Sequence, residues 1–425
     1  MVYVSNEYNL TVKIDPKRGQ LRVRGTIIIP TREDSAFFIL NRGLRWINTT
    51  RLTASGNQQI TVSRTDAIGV PRFYNGELWT FDVMDTEHDE FVIEIEYAGQ
   101  IHPPSKDSGM PVMGYIKRDF VELACYSAWY PVPFNMETNM SFELTIEGPD
   151  DWTWEANGNC IGIEKSGSIA RWSIKQARSV NDITIVGLPK RDAQLDTNSL
   201  FWGPRTMVAT HKTLDIGARE MRNRLAAWLG PLFEERNLRF ALTPRELGGA
   251  YARTGLIVVG GGYSTDSSLR GPVLQSMCHE MCHDWFCKAS VQTYDNWLDE
   301  ALAEYCSIMI TDDYLNENYL ENRIVKTKER LTKEGHVPAI RQLKREQEVA
   351  YAAYYYRGFL LLNEVSENVG RDEFRRIIGE FAQVCVREKA VTTNMFLDFL
   401  EQKIGKNATA IVNEWLDYNG VGIPT

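Results

Sequence analysis

His279, Glu280, Met281, Cys282 and His283 follow one another in the second half of the chain, and the stretch WLDEALAEY, from Trp297 to Tyr305, comes a short way on. A helix turns about 100° and rises about 1.5 Å per residue, so His279 and His283 share one face, roughly 6 Å apart. Two imidazoles at that spacing can grip one Zn²⁺ ion, with Glu280 beside it as a base. A tetrahedral catalytic zinc takes a third protein ligand and keeps one corner open. Glu300, at the start of the second helical stretch, is the residue that can supply it. The chemistry of such a site is hydrolysis by an activated water, with one Zn²⁺ per chain.

The alternative is a helix whose histidines only hydrogen-bond. The chain holds six histidines (His88, His102, His211, His279, His283 and His336), and two of them fall at ligand spacing. The segment around them, VLQSMCHEMCHDWF, is mostly apolar. Two imidazoles and a carboxylate buried there without partners would be costly, and a metal supplies the partner. Cys278 and Cys282 are also spaced for a metal, but free cysteine more often packs as a small apolar residue. Glu304 lies four residues after Glu300 on the same helix face. It can accept the free N–H of a ligating histidine and fix its tautomer, or it can be a solvated helix charge.

The elements that must position these groups change character along the chain. Up to about residue 190 the segments YNLTVKID, QLRVRGTIIIP, SAFFIL, ELWTFDVM, EFVIEIEYAG and MSFELTIEG show period-two alternation or β-branched enrichment, with turn clusters such as Asp15-Pro16-Lys17-Arg18-Gly19 between them. That pattern predicts an all-β sandwich or saddle-like domain over residues 1–195, followed by a linker near Lys190 to Pro204. From about Thr213 a helical period runs to Gly230. LRFALTP and TGLIVVGGG then read as strands, the second closed by three glycines. Helices are expected over 271–288, 297–313, 317–333, 346–369, 371–387, 394–403 and 407–418, with Gly370 as a C-cap. The fold class is therefore α+β, with a mostly helical second domain over 196–425 that carries a small sheet.

Of 425 residues, 43% are hydrophobic and 24% charged, an ordinary globular balance, and the length suits two or three domains. The net charge of −9, with no basic run, argues against nucleic acid as a partner. The N-terminal stretch lacks a basic region followed by an apolar core, and no apolar run is long enough to cross a bilayer. Seven cysteines, four of them near the proposed metal, fit reduced thiols in a cytoplasm. Oligomeric state has no signature here.

The motifs together resemble those of a known family, the zinc aminopeptidases of the membrane-alanyl-aminopeptidase and leukotriene-hydrolase type, among the gluzincins. HEMCHDWF followed by Trp297-Leu298-Asp299-Glu300-Ala301-Leu302-Ala303 is similar to the family's zinc motif and its Trp-Leu-Asn-Glu-Gly-Phe-Ala stretch. Tyr355-Tyr356-Arg357-Gly358 stands for Tyr-x-Lys-Gly, and Gly249 to Leu256 for Gly-Ala-Met-Glu-Asn-x-Gly-Leu. The WYPVP segment, Trp129 to Pro133, resembles part of the family's β-domain. The resemblance implies a thermolysin-like catalytic domain acting on peptides, most readily as an aminopeptidase. It implies Glu280 as the acid–base group, Tyr355 as donor to the oxyanion, and Gly249, Ala250 and Tyr251 as a strand that pairs with substrate. The ending VNEWLDYNGVGIPT resembles the close of the catalytic domain, which implies a compact form without the helical domain of larger relatives.

The departures matter as well. Sixteen residues separate His283 from Glu300, a shorter connection than is usual in the family. Ala252 replaces the glutamate that holds the substrate's free amine. Glu122 occupies the place of a second amine-binding residue, or is a solvated strand carboxylate. An endopeptidase of the same fold, and a non-catalytic scaffold that has kept the metal site, therefore remain as alternatives.

Overall fold

The computed structural model describes residues 6–30, 37–53, 56–65, 70, 74–82, 90–103, 114–134, 139–194, 199–208, 212–232, 238–245, 249–260, 270–315 and 318–424. The chain forms two compact units. The first takes residues 1–209 and 238–262, the second 210–237 and 263–425.

The first unit is built on an eight-stranded sheet. Its strands run in the order Asn159–Ser166, Ile169–Val180, Met140–Pro149, Asn6–Asp15, Gln20–Pro30, Glu90–Gln100, Leu44–Thr53 and Gly56–Gln59. Alternation sets the buried face: Tyr8, Leu10, Val12 and Ile14 point inward from the first strand. The turn into the second strand is closed by Asp15, whose Oδ1 accepts from the Lys17 and Arg18 amides. Gly19 takes the left-handed conformation that this turn requires (φ 66°). Two four-stranded sheets share the same apolar core, contributing Phe38, Leu78, Val121, Trp154 and Ile185. The WYPVP segment is anchored there: Trp129 Nε1 donates to the Ile183 carbonyl at 2.9 Å, and the Tyr130 hydroxyl to Asp182 Oδ1 at 3.1 Å.

A five-stranded sheet completes this unit, in the order Ala193–Gln194, Phe201–Pro204, Arg239–Thr243, Leu256–Gly260 and Ala250–Arg253. The stretch expected to be a linker thus holds two strands, and the expected boundary after residue 195 falls inside the first unit. Strands of two and four residues are too short to display a period, and Phe201–Pro204 owes its pairing to Arg239–Thr243, far along the chain. Some expected features lie outside the described residues: Gly261 and Gly262 of the glycine run, Ser35, Ala36, Val83 and Met84 at strand ends, and Glu317 at a helix start.

A short helix α1 (Arg205–Val208) belongs to the first unit. The second unit is helical: α2 (Lys212–Leu229), α3 (Arg270–Cys282), α4 (Trp297–Leu315), α5 (Tyr319–Glu334), α6 (Gly358–Val369), α7 (Arg371–Arg387), α8 (Thr393–Ile404) and α9 (Lys406–Asp417). Two expectations are corrected. The helix predicted over 271–288 ends at Cys282, and Asp284 and Phe286 bond back into the turn that follows. The helix predicted over 346–369 is a π-helical segment, Ala352–Arg357, running into α6, with turns before it. Hydrophobic spacing does not distinguish a π from an α turn over six residues.

α4 is the central rod and packs on α3, α5, α6 and the π-helical segment. Every residue from Trp297 to Thr311 is buried. It can lie this close to its neighbours because small residues face it: a Cβ on Gly358 would meet the Ala301 Cβ at 2.6 Å. Arg357, wholly buried, donates to the carbonyls of Val337, Pro338, Tyr418 and Gly420. It thereby ties the chain's last strand to the π-helical segment.

Candidate metal centre

α3 and α4 lie side by side, and the polar side chains between them are enclosed by apolar neighbours. Burial of that kind requires each polar atom to find a partner. His279 projects from the last turn of α3, and His283 from the turn just beyond it, with ring centroids 5.0 Å apart. Glu300 sits in the first turn of α4, where the helix N-terminus favours a carboxylate. Its Oε2 is 3.3 Å from His279 Nε2 and 3.7 Å from His283 Nε2.

The opposite ring nitrogens are held. His283 Nδ1 lies 2.9 Å from the Phe286 carbonyl and donates to it, which leaves Nε2 as the lone-pair nitrogen. His279 Nδ1 lies 3.1 Å from Glu304 Oε2. Glu304 is itself fixed, accepting from Gln275 Nε2 at 2.9 Å and from Arg323 Nη2 at 2.7 Å. So both imidazoles turn Nε2 toward the same Glu300 oxygen. The ligand atoms of His279, His283 and Glu300 all lie within 4.8 Å of one another. A tetrahedral zinc with nitrogen and oxygen ligands at about 2.1 Å sets its donors about 3.4 Å apart, so this set fits the ion in element and in spacing. Cys278 and Cys282 are wholly buried, and burial pushes the Cys282 thiol well up, as suits packed thiols rather than ligands.

The charges are arranged to match. Burial alone would raise the Glu300 carboxyl. The Arg345 guanidinium, whose Nη1 is 2.8 Å from Oε1, leads the opposing effects. With the His279 hydrogen bond and both imidazoles, it holds Glu300 well below the usual carboxylate range. Burial would lower His279, but its bonds to Glu300 and Glu304 outweigh that and hold it well above the ordinary imidazole value. Asp299, buried beside Glu300, is pushed well up, and its side chain accepts from the Ala289 amide at 3.1 Å.

Tyr355 comes from the π-helical segment. Its ring stacks on His279 at 5.3 Å and 16°, and Tyr351 stacks on its outer face at 4.3 Å. The Tyr355 hydroxyl accepts from Arg345 Nη2 at 3.0 Å. Glu280, on α3 beside His279, is half-buried and makes no side-chain hydrogen bond or ion pair with a described residue. Arg345 escaped the sequence reading. It lies in a turn with no periodic signal, and only its placement ten residues before Tyr355 could have drawn attention to it.

The other expected residues lie in the first unit. Glu122 sits on Val121–Leu123 and is wholly buried, so it is no solvated carboxylate. The Tyr251 hydroxyl donates to its Oε1 at 3.1 Å, and Arg245 Nε lies 3.5 Å from Oε2. Burial raises its carboxyl, against Arg245, Tyr251 and Thr243. Gly249 takes φ 108° and its carbonyl accepts from the Gly260 amide. Ala250–Arg253, which includes Tyr251, is an edge strand paired with Leu256–Gly260 alone among the described residues.

Residues 249–415 match the Peptidase family M1 domain, a span that contains the paired histidines, Glu280, Glu300, Glu304 and Tyr355. The resemblance drawn from the motifs is borne out over these residues. No curated protein matches the chain. Among solved structures, an M1 zinc metallopeptidase from Deinococcus radiodurans is similar at 19% identity and a TM-score of 0.73, covering 99% of this chain and 94% of that one. A mutant of an M1 zinc metallopeptidase from the same organism, bound to a Tyr-Ser-Ala substrate, is similar at 18% identity and a TM-score of 0.71, with coverage of 99% and 94%. A two-domain M1 zinc metallopeptidase mutant bound to L-arginine shows 18% identity, a TM-score of 0.73 and the same coverage. At these identities the likeness establishes the fold, an α+β pair of domains as expected. The neighbours themselves are zinc metallopeptidases, that is, hydrolases.

Proposed function

We propose, from the peptidase M1 match over residues 249–415 and the three converging ligand atoms, that this chain is a zinc-dependent peptidase that trims residues from the N-terminus of peptides. The observation that carries the hydrolase reading is the single Glu300 oxygen faced by both histidine Nε2 atoms. Zinc, when bound, supplies an acidified water and a Lewis acid for the scissile carbonyl. His279, His283 and Glu300 would hold it, one ion per chain. Glu280, which makes no side-chain hydrogen bond or ion pair among the described residues, takes a proton from the attacking water and passes it to the leaving nitrogen. The Tyr355 hydroxyl accepts from Arg345, so its own proton is available to an oxyanion developing on the substrate carbonyl. Among the described residues Ala250–Arg253 pairs on one side only, so its other edge suits main-chain hydrogen bonds to an extended peptide.

The aminopeptidase reading draws support from the family resemblance and from the bound amino acid and tripeptide of the structural neighbours. The endopeptidase reading rests on a specific pair of facts. Ala252 carries no carboxylate, and the Glu122 carboxylate is already engaged by Tyr251 and Arg245. One peptide offered with a free and with an acetylated N-terminus separates them. The aminopeptidase cuts only the free form, and equal cutting of both assigns the endopeptidase. A protein that takes up zinc but cleaves neither would be the scaffold. We place the enzyme among reduced thiols, a reading supported by its seven cysteines, none of which forms a disulfide.

A further inference from the structure

A carboxylate that gives one oxygen to a metal leaves the other to be satisfied by something else. In Glu300, Oε2 faces the histidines, and Oε1 is buried with it. A buried oxygen without a donor is costly. The donor here is Arg345, a residue on neither of the two metal helices.

The guanidinium does two things at once. Nη1 holds Glu300 Oε1 at 2.8 Å, and Nη2 holds the Tyr355 hydroxyl at 3.0 Å. The fork is rigid and planar, so the two acceptors are fixed relative to each other in a way that two independent hydrogen bonds would not achieve. The turn that carries Arg345 is itself tied down. The Gln347 amide donates to the Lys344 carbonyl at 3.0 Å, and the Lys344 amide to Gln347 Oε1. The buried Tyr354 hydroxyl donates to the Leu343 carbonyl at 3.0 Å. The segment bearing Tyr355 therefore also holds the turn that positions its hydroxyl.

We propose that Arg345 is a positioning residue: it orients the metal-binding face of Glu300 and holds the Tyr355 hydroxyl at a set place relative to that face. Because the hydroxyl accepts from Arg345, its single proton is left to donate. A substrate oxyanion arriving beside the hydroxyl can accept that proton. A cation close to a zinc site opposes the ion electrostatically, so its presence needs a positional reason, and the fork provides one.

The proposal rests on the metallopeptidase reading, and the experiment separates the two. Zinc affinity, by chelator competition, and steady-state kinetics are measured for wild type, Arg345→Met, Arg345→Lys, Tyr355→Phe and the Lys/Phe double variant, with thermal melts as a check on folding. Arg345→Met loses both contacts and is expected to bind zinc about 10–100-fold more weakly. Arg345→Lys restores a charge on Glu300 but cannot span both acceptors. It should keep zinc affinity within about threefold and lose about tenfold in kcat with KM little changed. In the Tyr355→Phe background the same lysine substitution should cost almost nothing further, because its effect runs through that hydroxyl. Losses that multiply instead, or an Arg345→Met protein that melts lower yet binds zinc and turns over as wild type does, overturn the proposal. Wild-type protein that takes up no zinc overturns the metallopeptidase reading beneath it.

Discussion

Glu280 is the one carboxylate beside the histidines that nothing else in the described structure engages, and Glu300 and Glu304 are both held at two or more points. That difference assigns roles. A fixed carboxylate serves as a ligand or a brace, and an unengaged one can move a proton. Glu280→Gln should therefore keep a full equivalent of zinc by metal analysis while kcat falls about 10²–10⁴-fold; unchanged rates would remove the base assignment. The raised pKa of His279 makes a second prediction. Below that value the ring carries a proton that must leave when metal binds, so zinc affinity falls as pH falls. For one displaced proton the slope is roughly tenfold per pH unit on the acid side of that raised value, readable by competition titration. Glu304→Gln removes one of the carboxylates that raise the ring and should move this dependence to lower pH.

At this scale the ligand triplet was legible in the sequence because its geometry is local. One helical turn relates His279 to His283, and Glu300 opens the next helix. The environment of the remaining groups was not. Whether Glu304 and Glu122 were solvated or buried depends on which strands and helices lie across from them, information that spacing along one element does not contain. Arg345 reaches Glu300 across 45 residues of chain from a turn, and no periodicity announces such a contact.

The elements explain why the site has so little slack. α4 is buried over its first fifteen residues, and α6 approaches it where Gly358 faces Ala301. Gly358→Ala puts two methyl groups 2.6 Å apart, and should cost about 1–3 kcal/mol in a urea melt. Ala301→Gly in the same chain should return part of that loss, and failure of any rescue would show that the clash is not between those two carbons. The helix preceding α6 was legible as a helix but not as a π-helical segment, which places Tyr351 and Tyr355 in a stack on His279. In the β unit, strands with a strongly apolar dry face, such as Asn6–Asp15 and Glu90–Gln100, declared themselves by alternation, whereas the longer Ile169–Val180 did not, because its buried face includes Ala170 and Gln176. Asn159–Ser166 did not, because nearly every residue of it is exposed, and Trp152–Ala156 did not, because nearly every residue is buried. A strand wet or dry on both sides has no period of two to read.

For the molecule as a whole, seven cysteines without a disulfide give a simple census. Cys160 and Cys287 are exposed, and Cys125, Cys278, Cys282, Cys306 and Cys385 are buried. A thiol reagent added to the folded protein should modify two groups promptly and the other five only on denaturation. More than two fast thiols would mean that the interior around α3 and α4 opens readily.

The first unit closes only after the chain has left it and come back. Phe201–Pro204 finds its neighbour in Arg239–Thr243, and the sheet is finished by residues up to Gly260. On a ribosome this means that the first 209 residues emerge with an incomplete sheet, and the missing strands follow about fifty residues later. At ordinary translation rates that is a wait of roughly three to ten seconds. During it Phe201 lacks Phe240, on which it stacks, and the core cluster of Trp202 lacks Ala241, Leu256 and Val258, so nascent chains of this length are the ones a chaperone should be found holding.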